Sequence, residues 1–270
     1  MNATRRSARN LVALGGPALL LGAALIPELR PIVAALIVLG WASLRALRSP
    51  AALGWVAAIP VAVTLTWPWF LGTDQPVGPV GCAEPLALIA LRRVVVALVG
   101  IALVAILARV HGSSTFDLGI RHLRRWEPPV AIAGLLVLAV GGLVVGPWIA
   151  EPFFGRLEFD RPLIALLPAV VFAVANGTLE EIAYRGALQG WLGRAAGPWV
   201  GVVMQAVVFG IVHVGPEVTS FVPVHAAALT AVGLLAGLWV RRTGSLAVPI
   251  GVHIGADIAL YYGLACRAAT

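Results

Sequence analysis

Two adjacent glutamates, Glu180 and Glu181, stand with Arg185 in the stretch NGTLEEIAYRG at 176–186. The runs on either side, PLIALLPAVVFAVA and WVGVVMQAVVFGIV, are strongly apolar. Ionisable side chains inside such runs are expensive and mark function, with a partner to be found for each. Glu181 and Arg185 are four residues apart, so a helix puts them on one face, where they can pair. Glu180 then points about 100° away from Glu181 and is free for another task. Later apolar segments add His213, in VVFGIVHVG with Phe209 one turn earlier, and His253 with Asp257, in PIGVHIGAD. Three helices thus present Glu180, His213 and the His253/Asp257 pair. Such a set suits the activation of water for attack on a carbonyl, which needs a base, a proton for the leaving amine and a donor for the oxyanion. A carboxylate in an apolar cavity serves as a base near neutrality. Glu180 is the expected base, His213 its partner in positioning water and protonating the leaving group, and His253 a donor to the oxyanion. Glu180, His213, His253 and Asp257 are equally types that bind zinc. The chain has no HExxH, and no helix carries two histidines at ligand spacing. Catalytic water without a metal is therefore the preferred reading, with zinc as the alternative.

The ordered set Glu180-Glu181-x-x-x-Arg185, Phe209-x-x-x-His213 and His253-x-x-x-Asp257, in successive hydrophobic helices, resembles the CPBP family of intramembrane proteases. These are the Rce1-like CAAX proteases and their bacteriocin-processing and immunity relatives. Each short motif is weak alone; the ordered set inside apolar helices is specific. The run GLLAGLWVRRTGSLAVPIGVHIGAD is also similar to the family's small-residue helix, here with Gly233 and Gly237, leading through a Thr-Gly-Ser turn into the last motif. The likeness covers about residues 160–262, with FDLGIR at 116–121 as weaker support. The resemblance implies an intramembrane endopeptidase in which Glu180 and His213 activate water and the last motif supplies the oxyanion hole. Glu181, Arg185 and Phe209 are expected as structural support. Asp257 stands where the best-known members have Asn. An ionised Asp would repel an oxyanion, whereas a neutral acid can donate to it, so Asp257 is expected to be neutral in the active state. The implied partner is a peptide or membrane-tethered protein. Prenylated substrates belong to eukaryotic members. The Arg-only, Ala/Gly/Val-rich composition suggests a bacterium, and with it a leader peptide, a bacteriocin-like peptide or a C-terminal sorting anchor. Two other readings stay open: a non-proteolytic scaffold or immunity protein of the same fold, and a proton-coupled transporter with Glu180, Glu181 and Arg185 as a relay. Inverted repeats would favour the transporter, and none is evident.

The elements that position these residues follow from composition. The 270 residues are 60% hydrophobic and 11% charged, against about one quarter charged in a soluble domain, and mean hydropathy is +0.95. Nine apolar segments, at 11–27, 31–44, 51–71, 86–108, 129–149, 162–192, 198–214, 221–240 and 246–264, approach the roughly 20 residues that cross a bilayer as a helix. The first two could instead form one re-entrant hairpin. The expected fold is an all-α polytopic transmembrane helix bundle of eight or nine spans. Residues 1–128 would hold about four spans and a charged loop, and residues 129–270 the CPBP-like domain. All 19 cationic residues are Arg, for a net charge of +7. Arg5, Arg6, Arg9, Arg45, Arg48, Arg109, Arg121, Arg124, Arg125, Arg194, Arg241 and Arg242 fall on one side of nine spans, which the positive-inside rule makes cytoplasmic. The chain is then an integral protein of the bacterial plasma membrane with its N-terminus cytoplasmic. Arg92 and Arg93 do not fit this pattern. Trp67, Trp69, Trp148 and Trp199 lie near span ends, as interfacial anchors do. The MNATRRSARN start and the apolar run after it offer no good cleavage site and read as the first span. No soluble basic segment is available for nucleic acid. Cys82 and Cys266 form no metal or redox spacing. His225 reads as structural, and His111 and His122 as loop residues.

Overall fold

The computed structural model describes residues 3–71, 81–82, 86–154, 162–214 and 220–267. The helices are α1 (Ala3–Ala13), α2 (Gly15–Leu25), α3 (Arg30–Ala46), α4 (Ala52–Leu71), α5 (Leu86–Val110), α6 (Glu127–Phe154), α7 (Pro162–Glu180), α8 (Gln189–Ala196), α9 (Pro198–Val212), α10 (Val222–Thr243) and α11 (Ala247–Ala265). Between α7 and α8 the chain stays helical but widens into a π segment, Glu181–Leu188. Every apolar segment read from the sequence is helical. That is the expected result for spans in hydrocarbon, where each backbone group must bond within its own segment. Outside the helices, the backbone of Gly81–Cys82 pairs antiparallel with Cys266–Arg267.

Among the described residues, five helical stretches are long and apolar enough to cross a membrane: Ser7–Leu25, Ala87–Val110, Glu127–Ile149, Leu163–Ala196 and Val222–Thr243. Ala52–Thr66, Pro198–Val212 and Ala247–Tyr262 are shorter apolar helices. α3 falls in neither group. Large apolar side chains on α6 and α7 point away from the protein, Leu163 and Leu167 being 85% and 73% exposed. Such surfaces suit a lipid environment and identify an integral membrane protein.

The two halves of the chain share one core. Leu20, Ile37, Val56 and Leu107 belong to the same buried cluster as Tyr184, Leu188, Trp191 and Phe209. α11 packs on α6 and α7, α5 on α7, and α9 on α10. Small residues allow the closest approaches, as is usual between membrane helices. A Cβ on Gly251 would come within 2.6 Å of the Ala131 carbonyl oxygen, and one on Gly255 would overlap that of Leu135. The expected Gly233/Gly237 stripe of α10 faces α9, and Gln205 Nε2 donates to the Gly233 carbonyl at 2.8 Å.

The arginine-bearing ends gather at one end of the bundle. Asn10 Nδ2 donates to Ala196 O at 3.4 Å, Arg194 pairs with Asp117 at 3.3 Å, and Arg121 Nε donates to Thr243 O at 2.8 Å. The FDLGIR stretch is the clasp of this end. Gly119 O accepts from Leu246 N at 3.0 Å, immediately before α11, and Asp117 O presses against Gly190 so closely that a Cβ there would overlap it.

Candidate functional site

Glu180 is the last residue of α7, at the point where the helix widens. π segments of this kind recur at functional sites. The sequence suggested an ordinary helix through 162–192; the wider turn keeps Glu181 and Arg185 paired all the same, with Arg185 NH1 2.9 Å from Glu181 Oε1. Both side chains are almost completely buried. The guanidinium also lies 4.1 Å from the centroid of the Phe209 ring, a cation–π contact in a desolvated setting. The Phe209 ring touches that of His213, with centroids 4.4 Å apart. Phe209 is thus the wall that joins the Glu181–Arg185 pair to His213.

Both histidines are fixed through Nδ1, so both present Nε2 to the site. His213 follows the last turn of α9, and its Nδ1 donates to the Phe209 carbonyl at 2.6 Å. This accounts physically for the Phe-x-x-x-His spacing: the ring turns back on the carbonyl one turn earlier. His253 Nδ1 donates to Glu181 Oε1 at 2.8 Å. Glu181 therefore does more than pair with Arg185 within its own helix; it also orients a ring on α11. A carboxylate on one nitrogen fixes what the other can do.

The two Nε2 atoms converge on Glu180. Glu180 Oε2 lies 3.4 Å from Nε2 of His213 and 3.7 Å from Nε2 of His253. It is buried and makes no hydrogen bond. Asp257 completes the group, with Oδ1 3.7 Å from His253 Nε2 and Oδ2 accepting from Asn176 Nδ2 at 2.8 Å. The structure thus brings together all four candidate residues, Glu180, His213, His253 and Asp257, with Glu181, Arg185 and Phe209 behind them. His225 packs elsewhere, with its ring centroid 5.4 Å from that of Phe153.

Two neighbours were not assigned from the sequence. Arg93 of α5 donates through NH2 to Glu180 Oε1 at 2.8 Å. Glu180 is therefore not an isolated carboxylate in an apolar cavity, as its flanking sequence suggested. A guanidinium from the N-terminal half faces it. The signal was present as a misfit, since Arg93 and its neighbour Arg92 broke the arginine asymmetry that set the orientation. Asn176 is the second, one helical turn before Glu180 and mostly buried. Its amide in the middle of an apolar span was the available clue, and Asp257 is its partner.

The group can place and polarise a small molecule seated against Oε2 and the two imidazoles. Among the described residues no group of three His, Cys, Asp or Glu side chains could hold a metal ion. Arg93 already sets a fixed positive charge against the carboxylate that a cation would need.

Residues 162–259 match the family model of the Type II CAAX prenyl endopeptidase Rce1-like proteins. The segment runs from α7 through most of α11 and contains Glu180, Glu181, Arg185, Phe209, His213, His253 and Asp257. The resemblance read from the motifs is therefore shown over this stretch. Arg93 lies outside it. No curated protein and no solved structure matches the chain.

Proposed function

We propose that this chain is an intramembrane endopeptidase that hydrolyses a peptide bond of a membrane-held peptide or protein, using a water activated by Glu180 and His213. The Rce1-like match supports a protease at the level of the family. The observation that carries the mechanism is the pair of oxygens of Glu180. Oε1 is held by Arg93 at 2.8 Å, while Oε2 is buried, makes no hydrogen bond and faces Nε2 of both histidines. With Nδ1 of His213 committed to the Phe209 carbonyl, its neutral ring offers a lone pair at Nε2. Oε2 and that lone pair are two acceptors 3.4 Å apart, and a water seated beside the pair can donate to both.

In the reaction, Glu180 Oε2 takes a proton as the water oxygen attacks the scissile carbonyl carbon, and the carbonyl electrons move to oxygen. Donors on α11 receive the oxyanion. His253, its Nδ1 hydrogen given to Glu181, donates from Nε2 as the protonated ring. Asp257 accepts at Oδ2 from Asn176, so the proton of its neutral form sits on Oδ1, the oxygen beside His253. Collapse of the tetrahedral species breaks the C–N bond, and the amine leaves with the proton held by Glu180 and His213. Leader peptides and C-terminal sorting anchors are the proposed substrates, and the arginine-rich end of the bundle is the cytoplasmic one.

The test compares membrane-associated peptides of cells carrying the wild-type chain, Glu180→Gln or neither. Loss of a general base costs about 10²- to 10⁴-fold, so Glu180→Gln should accumulate the same uncleaved species as cells lacking the chain. Normal processing by Glu180→Gln would sink the protease reading and leave the scaffold reading. Activity of the purified protein should survive prior treatment with a strong chelator; loss restored by zinc would replace the metal-free mechanism with the zinc alternative.

A further inference from the structure

A second site lies at the arginine-rich end, distinct from the carboxylate–histidine group. A cavity of about 620 Å³ opens there, with Arg9, Arg45, Arg48, Ser49, His111 and Arg194 in its lining. These residues come from four places in the chain: α1, the last turn of α3 with the turn that follows it, the residue after α5, and α8. Its size is within the usual range of small-molecule sites, about 300–1,000 Å³. Among the described residues, Asp117 is the one carboxylate paired with any of the four arginines, reaching Arg194 at 3.3 Å on an exposed surface. Arg9 Nε is buried and has no hydrogen-bond partner. His111 records the convergence of charge. Burial, and after it the charges of Arg45 and Arg194, hold its ring below the ordinary protonation range. Its Nε2 accepts from Trp41 Nε1 at 3.0 Å, so the ring is neutral there. Arg48 adopts φ 53°, a left-handed conformation that a side chain of this size rarely takes.

We infer that this cavity binds a phosphate-bearing anion, held by the guanidiniums of Arg9, Arg45, Arg48 and Arg194. Positive charge alone at this end would follow from the asymmetry that orients membrane proteins. Such charge is ordinarily spread around the perimeter, whereas these four arginines line one concavity with, among the described residues, a single carboxylate paired to them. Guanidinium forks match phosphate oxygens in pairs. Basic pockets between membrane helices on this face receive anionic head groups. The phosphate can come from a lipid head group or from a soluble phosphate, and the chemistry of recognition is the same.

The experiment measures binding to the full-length protein in a neutral detergent, by native mass spectrometry and by thermal shift. The probes are phosphatidylglycerol, phosphatidylcholine and inorganic phosphate. Phosphatidylglycerol should bind and stabilise, and phosphatidylcholine, whose head group carries its own cation, should do so far less. Arg45→Gln/Arg48→Gln should weaken phosphatidylglycerol binding roughly 30-fold, at about fivefold for each arginine facing an anionic surface. Arg45→Lys/Arg48→Lys should lose less. Arg124→Gln/Arg125→Gln removes the same charge outside the cavity lining and should leave binding near the wild-type value. Both substituted arginines of the test pair are exposed, so folding is retained. Binding of inorganic phosphate with the same dependence on Arg45 and Arg48 supports the site and assigns a soluble source. Equal weakening by the two Gln pairs would show diffuse surface charge and overturn the proposal, as would equal binding of phosphatidylcholine or no binding of either phosphate source.

Discussion

Arg93→Ala is the most informative single change in this protein, because it separates the matched domain from the half of the chain that completes its site. The guanidinium lies 2.8 Å from Glu180 Oε1, with the two side chains 21% and 11% exposed. This is a charge-assisted hydrogen bond in a mostly buried setting, and hydrogen bonds to charged groups contribute about 1.5–3 kcal/mol. Arg93 anchors one oxygen so that the other faces His213 and His253. Without it the carboxylate can rotate, and the orientation with Oε2 between the imidazoles loses that preference. At 1.36 kcal/mol per decade the same range corresponds to a fall of about 10- to 150-fold in kcat. Arg93→Lys keeps the charge but not the fork and should fall less. The assay is cleavage, by the purified protein in proteoliposomes, of whatever peptide accumulates in cells lacking it, with kcat and KM determined separately and Tm recorded for each variant. The loss should sit in kcat. In a Glu180→Gln background the Arg93 change should add almost nothing, since residues acting through one another are not additive. Wild-type kcat in Arg93→Ala, or a full further loss on top of Glu180→Gln, would refute the positioning role.

Asp257→Asn should retain activity within about tenfold: its carbonyl can take the hydrogen bond from Asn176, as Oδ2 now does at 2.8 Å, leaving its amide as an oxyanion donor worth about 2.7–4 kcal/mol where such donors have been removed. Asp257→Leu removes both and should lose 10²-fold or more on the same scale; inactivity of the Asn variant at normal Tm would contradict the donor role. Gly255→Ala should lower Tm even though Ala is the better helix former by about 1 kcal/mol, because the added Cβ would overlap the Leu135 carbonyl oxygen and overpacking costs about 1–3 kcal/mol. A raised Tm would show that α6 and α11 can separate freely. His111, held below its ordinary 6.5 by burial and then by Arg45 and Arg194, takes up a proton more readily when unfolded. Its contribution is complete above pH 6.5 and is lost as pH falls below it. Thermal scans from pH 7.5 to 5 should show a decline that is smaller in His111→Gln; identical declines would remove His111 as its source.

Much of the site was legible because membrane helices make polar residues conspicuous. Glu180, His213, His253 and Asp257 stand in runs where Ala, Val and Leu are the rule, and helical spacing alone pairs Glu181 with Arg185. The helical class followed from hydropathy for the same reason. What escaped depended on contacts between distant segments. Asn176 meets Asp257 across 81 positions, and Arg93 meets Glu180 across 87. No periodicity relates such residues. The widening of the helix after Glu180 escaped too, since no residue of Glu181–Leu188 bars an α turn. Arg93 still left a trace. Its placement contradicted the charge asymmetry, and a charge that violates an orientation rule has another reason to be there.

That reason links the two halves. Residues 162–259 carry the motifs, yet the carboxylate at their centre is held from α5, and Tyr184, Leu188, Trp191 and Phe209 share a buried cluster with Val56 and Leu107. The parts of the chain before the matched segment are therefore no mere anchor. α6 supplies the carbonyls against which Gly251 and Gly255 lie, and so sets the depth of His253 between them. α5 supplies the charge that turns Glu180. Lipid can replace an apolar neighbour of a helix at little cost, because it is as apolar as the side chain it displaces. It cannot replace a guanidinium. The dependence of the site on the first half of the chain consequently rests on Arg93 more than on the larger apolar contact around it.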